Sequence, residues 1–150
     1  MQIKIENLKS KIASLLVLFW VIGCHTNHTA NTPSGRPEVM IEGKKPEQIL
    51  QATRAFFVNR GYGLTPSDNG YKLIFDRRTE RPGGKPSTKN CWRVRVFLSD
   101  LSNGTFRLWA VPAKVESCGG ELEAEHVMPD SFSQVQELLE QIKFQLDAVP

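Results

Sequence analysis

Cysteine and histidine are scarce in this chain, which has three of each in 150 residues. The cysteines do not form a CxxC pair. His25 and His28 are three residues apart, but they lie in a Thr/Asn/Pro-rich segment without helical character. Neither a redox-active dithiol nor a histidine or cysteine metal site is therefore predicted, and no cofactor is expected.

A nucleophile with its base is also not recognisable. His126 has no identifiable serine or cysteine partner. Glu121, Glu123 and Glu125 alternate along a short segment and so share one strand face, where carboxylates are normally solvated. General-acid chemistry would need a buried pair among these residues. A non-enzymatic protein is therefore expected. An unrecognised hydrolase ranks third, after two non-enzymatic roles.

Long hydrophobic runs are limited to one, the charge-free stretch 12–23, which follows Lys4, Lys9 and Lys11. As a helix it would extend roughly 18 Å, well short of the ~30 Å hydrocarbon core of a bilayer. A permanent transmembrane anchor is thus not predicted. A basic start followed by a short apolar run is typical of a secretory signal peptide, here residues 1–23.

The run ends in Val21-Ile22-Gly23-Cys24, which resembles the lipobox of bacterial lipoproteins. The resemblance implies cleavage before Cys24, a thioether link from Cys24 to diacylglycerol, and acylation of the new amino terminus with a fatty acid such as palmitate. Three acyl chains make a stable membrane anchor. His25 is not the aspartate that retains such proteins in the inner membrane. The resemblance therefore implies the outer membrane, with the mature domain facing the periplasm.

Charge is distributed unevenly along the chain. Loss of residues 1–23 removes three lysines and one glutamate, so the formal charge falls from +3 to +1, and a nucleic-acid partner is not expected. Residues 36–114 hold fifteen Lys/Arg against seven acids, whereas residues 115–150 hold one against eight. Either the two parts neutralise one another in the fold, or a basic face serves an acidic partner.

With Cys24 assigned to the lipid, Cys91 and Cys118 are left as a pair in an oxidising compartment and are predicted to form a disulfide. Closing this loop would stabilise the fold by about 3.5 kcal/mol in the chain-entropy model. Residues 24–37 lack apolar periodicity and are predicted to be a flexible tether.

Residues 38–150 are predicted to form a single α+β domain. The patterns indicate strands at 38–42, 62–65 and 71–76, a helix at 46–60, hairpins at 91–98/105–111 and 113–118/121–128, and a C-terminal helix. Ser131 and Gln134 suggest a capping box for that last helix. The expected fold is a curved antiparallel sheet of four to six strands with two helices on one face. This topology resembles the helix-grip domains of outer-membrane assembly lipoproteins.

Strand register decides which residues face the core. Trp92, Val94, Val96 and Leu98 on one strand and Phe106, Leu108 and Ala110 on the next should share an apolar face, because a one-residue slip would bury arginines. The opposite face then carries arginines and aromatics, as self-contained cation–π ladders or as a docking surface for acidic or sugar-bearing ligands. A basic loop at 77–90 extends this surface. The candidate partner-binding residues are Arg77, Arg78, Arg81, Lys85, Lys89, Arg93, Arg95, Phe97, Arg107 and Trp109.

These observations favour a lipid-anchored cell-envelope lipoprotein that acts as a binding or assembly accessory module with a protein partner in the envelope. The alternative is a periplasmic inhibitor or immunity protein, whose basic loop would enter the acidic cleft of an envelope-active hydrolase.

Overall fold

A computed structural model describes residues 30–78 and 90–148. The predicted signal peptide, Cys24 and the loop residues Arg81, Lys85 and Lys89 lie outside these ranges. The strands are β1 (Glu38–Glu42), β2 (Gly63–Thr65), β3 (Lys72–Arg78), β4 (Cys91–Asp100), β5 (Thr105–Glu116) and β6 (Ala124–Val127). The helices are α1 (Pro46–Val58) and α2 (Phe132–Asp147), the latter preceded by a 3-10 turn (Pro129–Ser131).

All strand pairs are antiparallel, in the order β1-β5-β4-β3-β2, and β6 also pairs with β5. Both helices pack on the same side of the curved sheet, where the buried residues of every large strand collect. The predicted α+β architecture is confirmed. Within the described ranges, neither helix is both long and apolar enough to cross a bilayer.

The predicted register of β4 and β5 is also confirmed. Val96 lies opposite Ala110 and Leu98 opposite Leu108, and all four are buried. The same register places Phe97 opposite Trp109 on the other face of the sheet. The helices therefore cover one face, and the arginines and aromatics of β4 and β5 occupy the face without helices.

The core is built around the end of α1. Phe57 is fully buried, stacks on Phe75 of β3 at a centroid distance of 4.4 Å and meets Tyr62 edge-on at 5.2 Å. Gly61, at φ +80°, reverses the chain after α1, and the Tyr62 amide donates to the Phe57 carbonyl. From α2 the core receives Val135, Leu139, Ile142 and Leu146.

Strand β5 is one continuous strand of twelve residues, not the two separate arms expected at 105–111 and 113–118. Pro112 lies where β5 changes its neighbour from β1 to β6. The Pro112 carbonyl accepts from Met128, so the proline nitrogen points to the same side, away from β4. Proline is tolerated there because no ladder hydrogen bond to β4 is lost.

At the outer edge of β1, one side chain of α2 hydrogen-bonds the backbone. The Glu38 amide donates to Gln136 Oε1 at 2.8 Å, and Gln136 Nε2 donates to the Glu38 carbonyl at 3.1 Å. These two hydrogen bonds hold α2 against the edge strand at Glu38.

Two local expectations differ from the structure. The capping box is wrong, because the Ser131 side chain caps no backbone group and the chain enters α2 through the 3-10 turn. Arg77 and Arg78, expected in the basic loop, are the last two residues of β3, paired with Trp92 and Cys91. The ladder thus extends to Cys91, which is disulfide-bonded to Cys118.

Residues 30–36 of the predicted tether lie on the domain. Ala30 is 4 % exposed, and its amide donates to the Gly35 carbonyl. The Ser34 amide donates to the carboxylate of Glu38. The chain is thus already in contact with the sheet before β1 begins.

Candidate functional site

The sheet face without helices divides into two parts. The end near the disulfide holds an ionic network centred on Arg93. The other end holds an aromatic pair, Phe97 and Trp109, with cations around it.

Arg93 donates hydrogen bonds to two carboxylates. Its guanidinium binds Asp76 of β3 through Nε to Oδ1 at 2.7 Å and Nη2 to Oδ2 at 2.8 Å, and it donates to Glu123 Oε2 at 3.0 Å. The hydrogen bond to Asp76 holds the pKa of Arg93 above its ordinary value. The side chain is only 11 % exposed. Arg93 therefore stabilises the domain and offers little charge to a partner.

The acids on and just before β6 also neutralise arginines of β4. Glu125 pairs with Arg95 at 2.9 Å, and Glu123 accepts from Arg93 and from the Gly119 amide. Of the two charge arrangements considered from the sequence, mutual neutralisation of the basic and acidic parts describes Arg93 and Arg95. These two arginines are not an open basic surface.

The hydrolase hypothesis also depended on these acids. The hydrogen bonds from Arg93 and Gly119 lower the pKa of Glu123, whereas a general acid needs a raised one. Residues 121–127, His126 included, are exposed. Of these residues, Glu123 and Glu125 are partners of arginine.

Cys91 and Cys118 form the predicted disulfide, with their Cα atoms 5.9 Å apart. Asp76 Oδ2 lies 3.9 Å from the Cys118 sulfur. In the described part of the chain these three residues are the one cluster with donors close enough for a metal ion. Both sulfurs are already bonded to each other, so neither is a thiolate ligand.

The aromatic part of the face is a single cross-strand row. Register places Glu38, Trp109, Phe97 and Lys72 side by side on β1, β5, β4 and β3. Phe97 and Trp109 stack at 4.2 Å with an interplanar angle of 15°. Lys72, on the strand on the other side of β4 from Trp109, has its ammonium over Phe97 at 5.9 Å. We call Arg36, Trp109, Phe97, Lys72 and Arg107 the aromatic–cation row.

Two arginines complete the row at Trp109. Arg36, from the segment before β1, lies over the indole at 5.7 Å, and Arg107 does so at 5.6 Å. Arg107 also faces the buried Glu38 carboxylate at 3.6 Å, which is too long for a hydrogen bond. The indole N–H donates to Ser99 at 3.2 Å, which fixes the ring. The expected cation–π contacts are therefore present along this half of the face, whose two rings also remain partly exposed.

The structure thus separates the candidate residues. Phe97, Arg107 and Trp109 come together in the row, Arg93 and Arg95 are ion-paired, and Arg77 lies over Tyr62 at 5.6 Å. Sequence reasoning missed Arg36 and Lys72. Lys72 precedes Ile74 and Asp76 on an alternating strand, so its face could have been assigned by counting. The position of Arg36 could not be predicted because its segment has no periodic pattern.

No protein-family model and no curated protein matches this chain. Among solved structures it is similar to the crystal structure of the adenylate sensor from AMP-activated protein kinase in complex with 5-aminoimidazole-4-carboxamide 1-beta-D-ribofuranotide. The identity is 18 %, the TM-score is 0.44, and the match covers 71 % of this chain and 94 % of that chain. A likeness of this size carries no argument about function.

Proposed function

We propose that this protein is a lipid-anchored lipoprotein of the cell envelope that serves as a non-enzymatic binding or assembly accessory module. Cys24 is the lipidation site, the outer membrane is the location, and the domain faces the periplasm. The partner is an envelope protein that docks on the sheet face opposite the helices.

The observation that carries the docking role is the aromatic–cation row. Phe97 and Trp109 are half-exposed on a face that no described helix covers. Rigid aromatics beside arginine are the residue types that contribute most to protein interfaces. The adjacent ion pairs of Arg93 and Arg95 hold β3, β4 and β6 together, so the row is displayed on a rigid support.

The anchor is tested by metabolic labelling with an alkyne fatty acid in a two-membrane bacterium. The chain should take up the label and sediment with outer membranes, and Cys24→Ser should lose both. The variant with Cys91→Ala and Cys118→Ala is the control and should keep the label. Labelling that survives Cys24→Ser would refute the anchor.

The docking face is tested by placing the photo-crosslinker p-benzoylphenylalanine at Phe97. The matched control is the same substitution at Phe144, an exposed phenylalanine on α2 in the helix layer. We expect a discrete envelope protein to cross-link from Phe97 and not from Phe144, and Trp109→Ala to abolish the product. Equal products from both positions would sink the assignment of the face.

A role as an inhibitor of an envelope-active hydrolase remains the second proposal. It is favoured by Arg77 and Arg78, which end β3 directly before the basic segment 79–89 of the sequence. Inhibition of a periplasmic lysozyme by the wild-type chain, lost on Arg81→Glu with Lys85→Glu, would support it. No inhibition at micromolar protein would reject it for that enzyme.

A further inference from the structure

The ligand chemistry of the aromatic–cation row follows from which parts of its rings are free. Phe97 has Trp109 on one side and Lys72 on the other. Trp109 has Phe97 on one side, and Arg36 and Arg107 lie over the indole at 5.7 and 5.6 Å. A sugar ring needs an open aromatic face for stacking, whereas the faces of this pair are occupied by each other and approached by cations. The edges of the two rings are the positive part of an aromatic quadrupole.

The charge of the row also favours a negatively charged ligand. Among the described residues, Arg36 and Lys72 have no carboxylate partner, and Glu38, the acid opposite Trp109, is buried and faces Arg107. Positive ring edges between two unpaired cations form a surface complementary to negative charge.

The spacing of the two cations selects one kind of anion. The Lys72 ammonium lies 5.9 Å from the Phe97 centroid, the two centroids are 4.2 Å apart, and Arg36 lies 5.7 Å from the Trp109 centroid. The two cations are therefore at most about 16 Å apart, a separation that an extended chain of five residues can reach. An extended peptide advances ~3.3 Å per residue, so side chains four positions apart lie about 13 Å from each other on the same face. The side chain midway between them would lie over the edges of Phe97 and Trp109.

We infer that the row binds an extended acidic segment of a partner protein, with carboxylates at positions i and i+4 on Arg36 and Lys72 and an apolar residue at i+2 over the aromatic pair. This inference rests on the docking role proposed above and names the chemistry of the partner. Binding should weaken with added salt because Arg36 is exposed and Lys72 is partly exposed to solvent.

The test uses the full-length chain in detergent micelles and three blocked peptides, followed by NMR at the Trp109 indole signal. The probe has the sequence Glu-Ser-Leu-Ser-Glu. One control, Gln-Ser-Leu-Ser-Gln, lacks charge, and the other, Ser-Glu-Leu-Glu-Ser, has its carboxylates only two positions apart. We expect the probe to shift the indole signal at the lowest concentration, and each control to need several-fold more.

Two double variants of the protein remove the same number of positive charges, one from the row and the other from the helices. Arg36→Gln with Lys72→Gln should weaken probe binding roughly tenfold, since each exposed charge pair contributes up to ~1 kcal/mol. Arg54→Gln with Lys143→Gln, on the helices, should change it less than about twofold.

Equal binding by both double variants would overturn the inference, as would no binding by the wild-type chain. Salt-insensitive binding of a neutral chito-oligosaccharide at the same indole signal would overturn it in favour of a glycan. The cross-linking from Phe97 is a separate readout. A cross-linked partner without probe binding would leave the docking role standing and remove only the acidic-segment chemistry.

Discussion

Arg93 of β4 and Asp76 of β3 are directly opposite in the strand register and are joined by two parallel N–H···O bonds of 2.7 and 2.8 Å. The pair is mostly buried, and Asp76 Oδ2 also accepts a hydrogen bond from Thr65 Oγ1 at 2.9 Å. One carboxylate therefore links β2, β3 and β4.

Asp76→Ala should lower the free energy of unfolding by about 2 kcal/mol, because it leaves a mostly buried guanidinium without its bidentate partner. Urea denaturation followed by circular dichroism measures this. Asp68→Ala, at an exposed turn position, is the control and should stay within about 0.5 kcal/mol of wild type. Similar values for the two variants would mean that the pair does not stabilise the fold.

Glu123 gives the fold a dependence on pH. Its folded-state pKa lies below the ordinary value of 4.5, because Arg93 and the Gly119 amide favour the carboxylate. The ionised group therefore stabilises the domain above that pH, and its contribution is lost as pH falls through the folded-state pKa. Glu123→Gln should be less stable than wild type at pH 7 by at most about 1 kcal/mol, and the difference should shrink as the pH falls below 4.5.

Denaturation at several pH values compares the two chains, with Glu137→Gln on the exposed side of α2 as the control. A difference between wild type and Glu123→Gln that stays constant from pH 7 to pH 3 would contradict the linkage.

The disulfide closes a loop of 27 residues between β4 and the turn after β5. Reduction should lower the free energy of unfolding by about 3.5 kcal/mol in the chain-entropy model. Denaturation with and without dithiothreitol measures the loss. The variant with Cys91→Ala and Cys118→Ala should not respond to the reductant, and a wild-type chain that also failed to respond would show that the bond is not formed in solution.

Neighbouring residues of α1 give a matched pair for the core. Phe57→Ala removes the ring that contacts Phe75 and Tyr62 and should cost about 3–5 kcal/mol. Val58→Ala, one position later and 50 % exposed, should cost less than about 0.5 kcal/mol. Thermal unfolding of both variants measures the contrast, and equal midpoints would refute the assigned burial.

The parts of the fold that could be predicted are those governed by burial. The register of β4 and β5 follows from the alternation of Val94 and Val96 with Arg93 and Arg95, because only one register keeps the arginines out of the core. The same rule placed Phe97 and Trp109 on the open face.

Pairings between distant charged residues could not be predicted. Asp76 is one of several acids that could meet Arg93, and the choice depends on how β3 aligns with β4 across a long connection. Arg36 carried no signal, since its contact with Trp109 is made by an irregular segment with no repeating pattern. Periodicity assigns a residue to a face, but it does not identify that residue's neighbour on the adjoining strand.

The two hydrogen bonds from Gln136 to the backbone of Glu38 have a consequence for how copies of this protein meet. An unpaired strand edge is a template onto which another molecule can add its own strand, which is the first step of polymerisation. At Glu38 the outward amide and carbonyl are already taken by a carboxamide of the same chain. One glutamine thus blocks strand addition by a second molecule at Glu38 of β1.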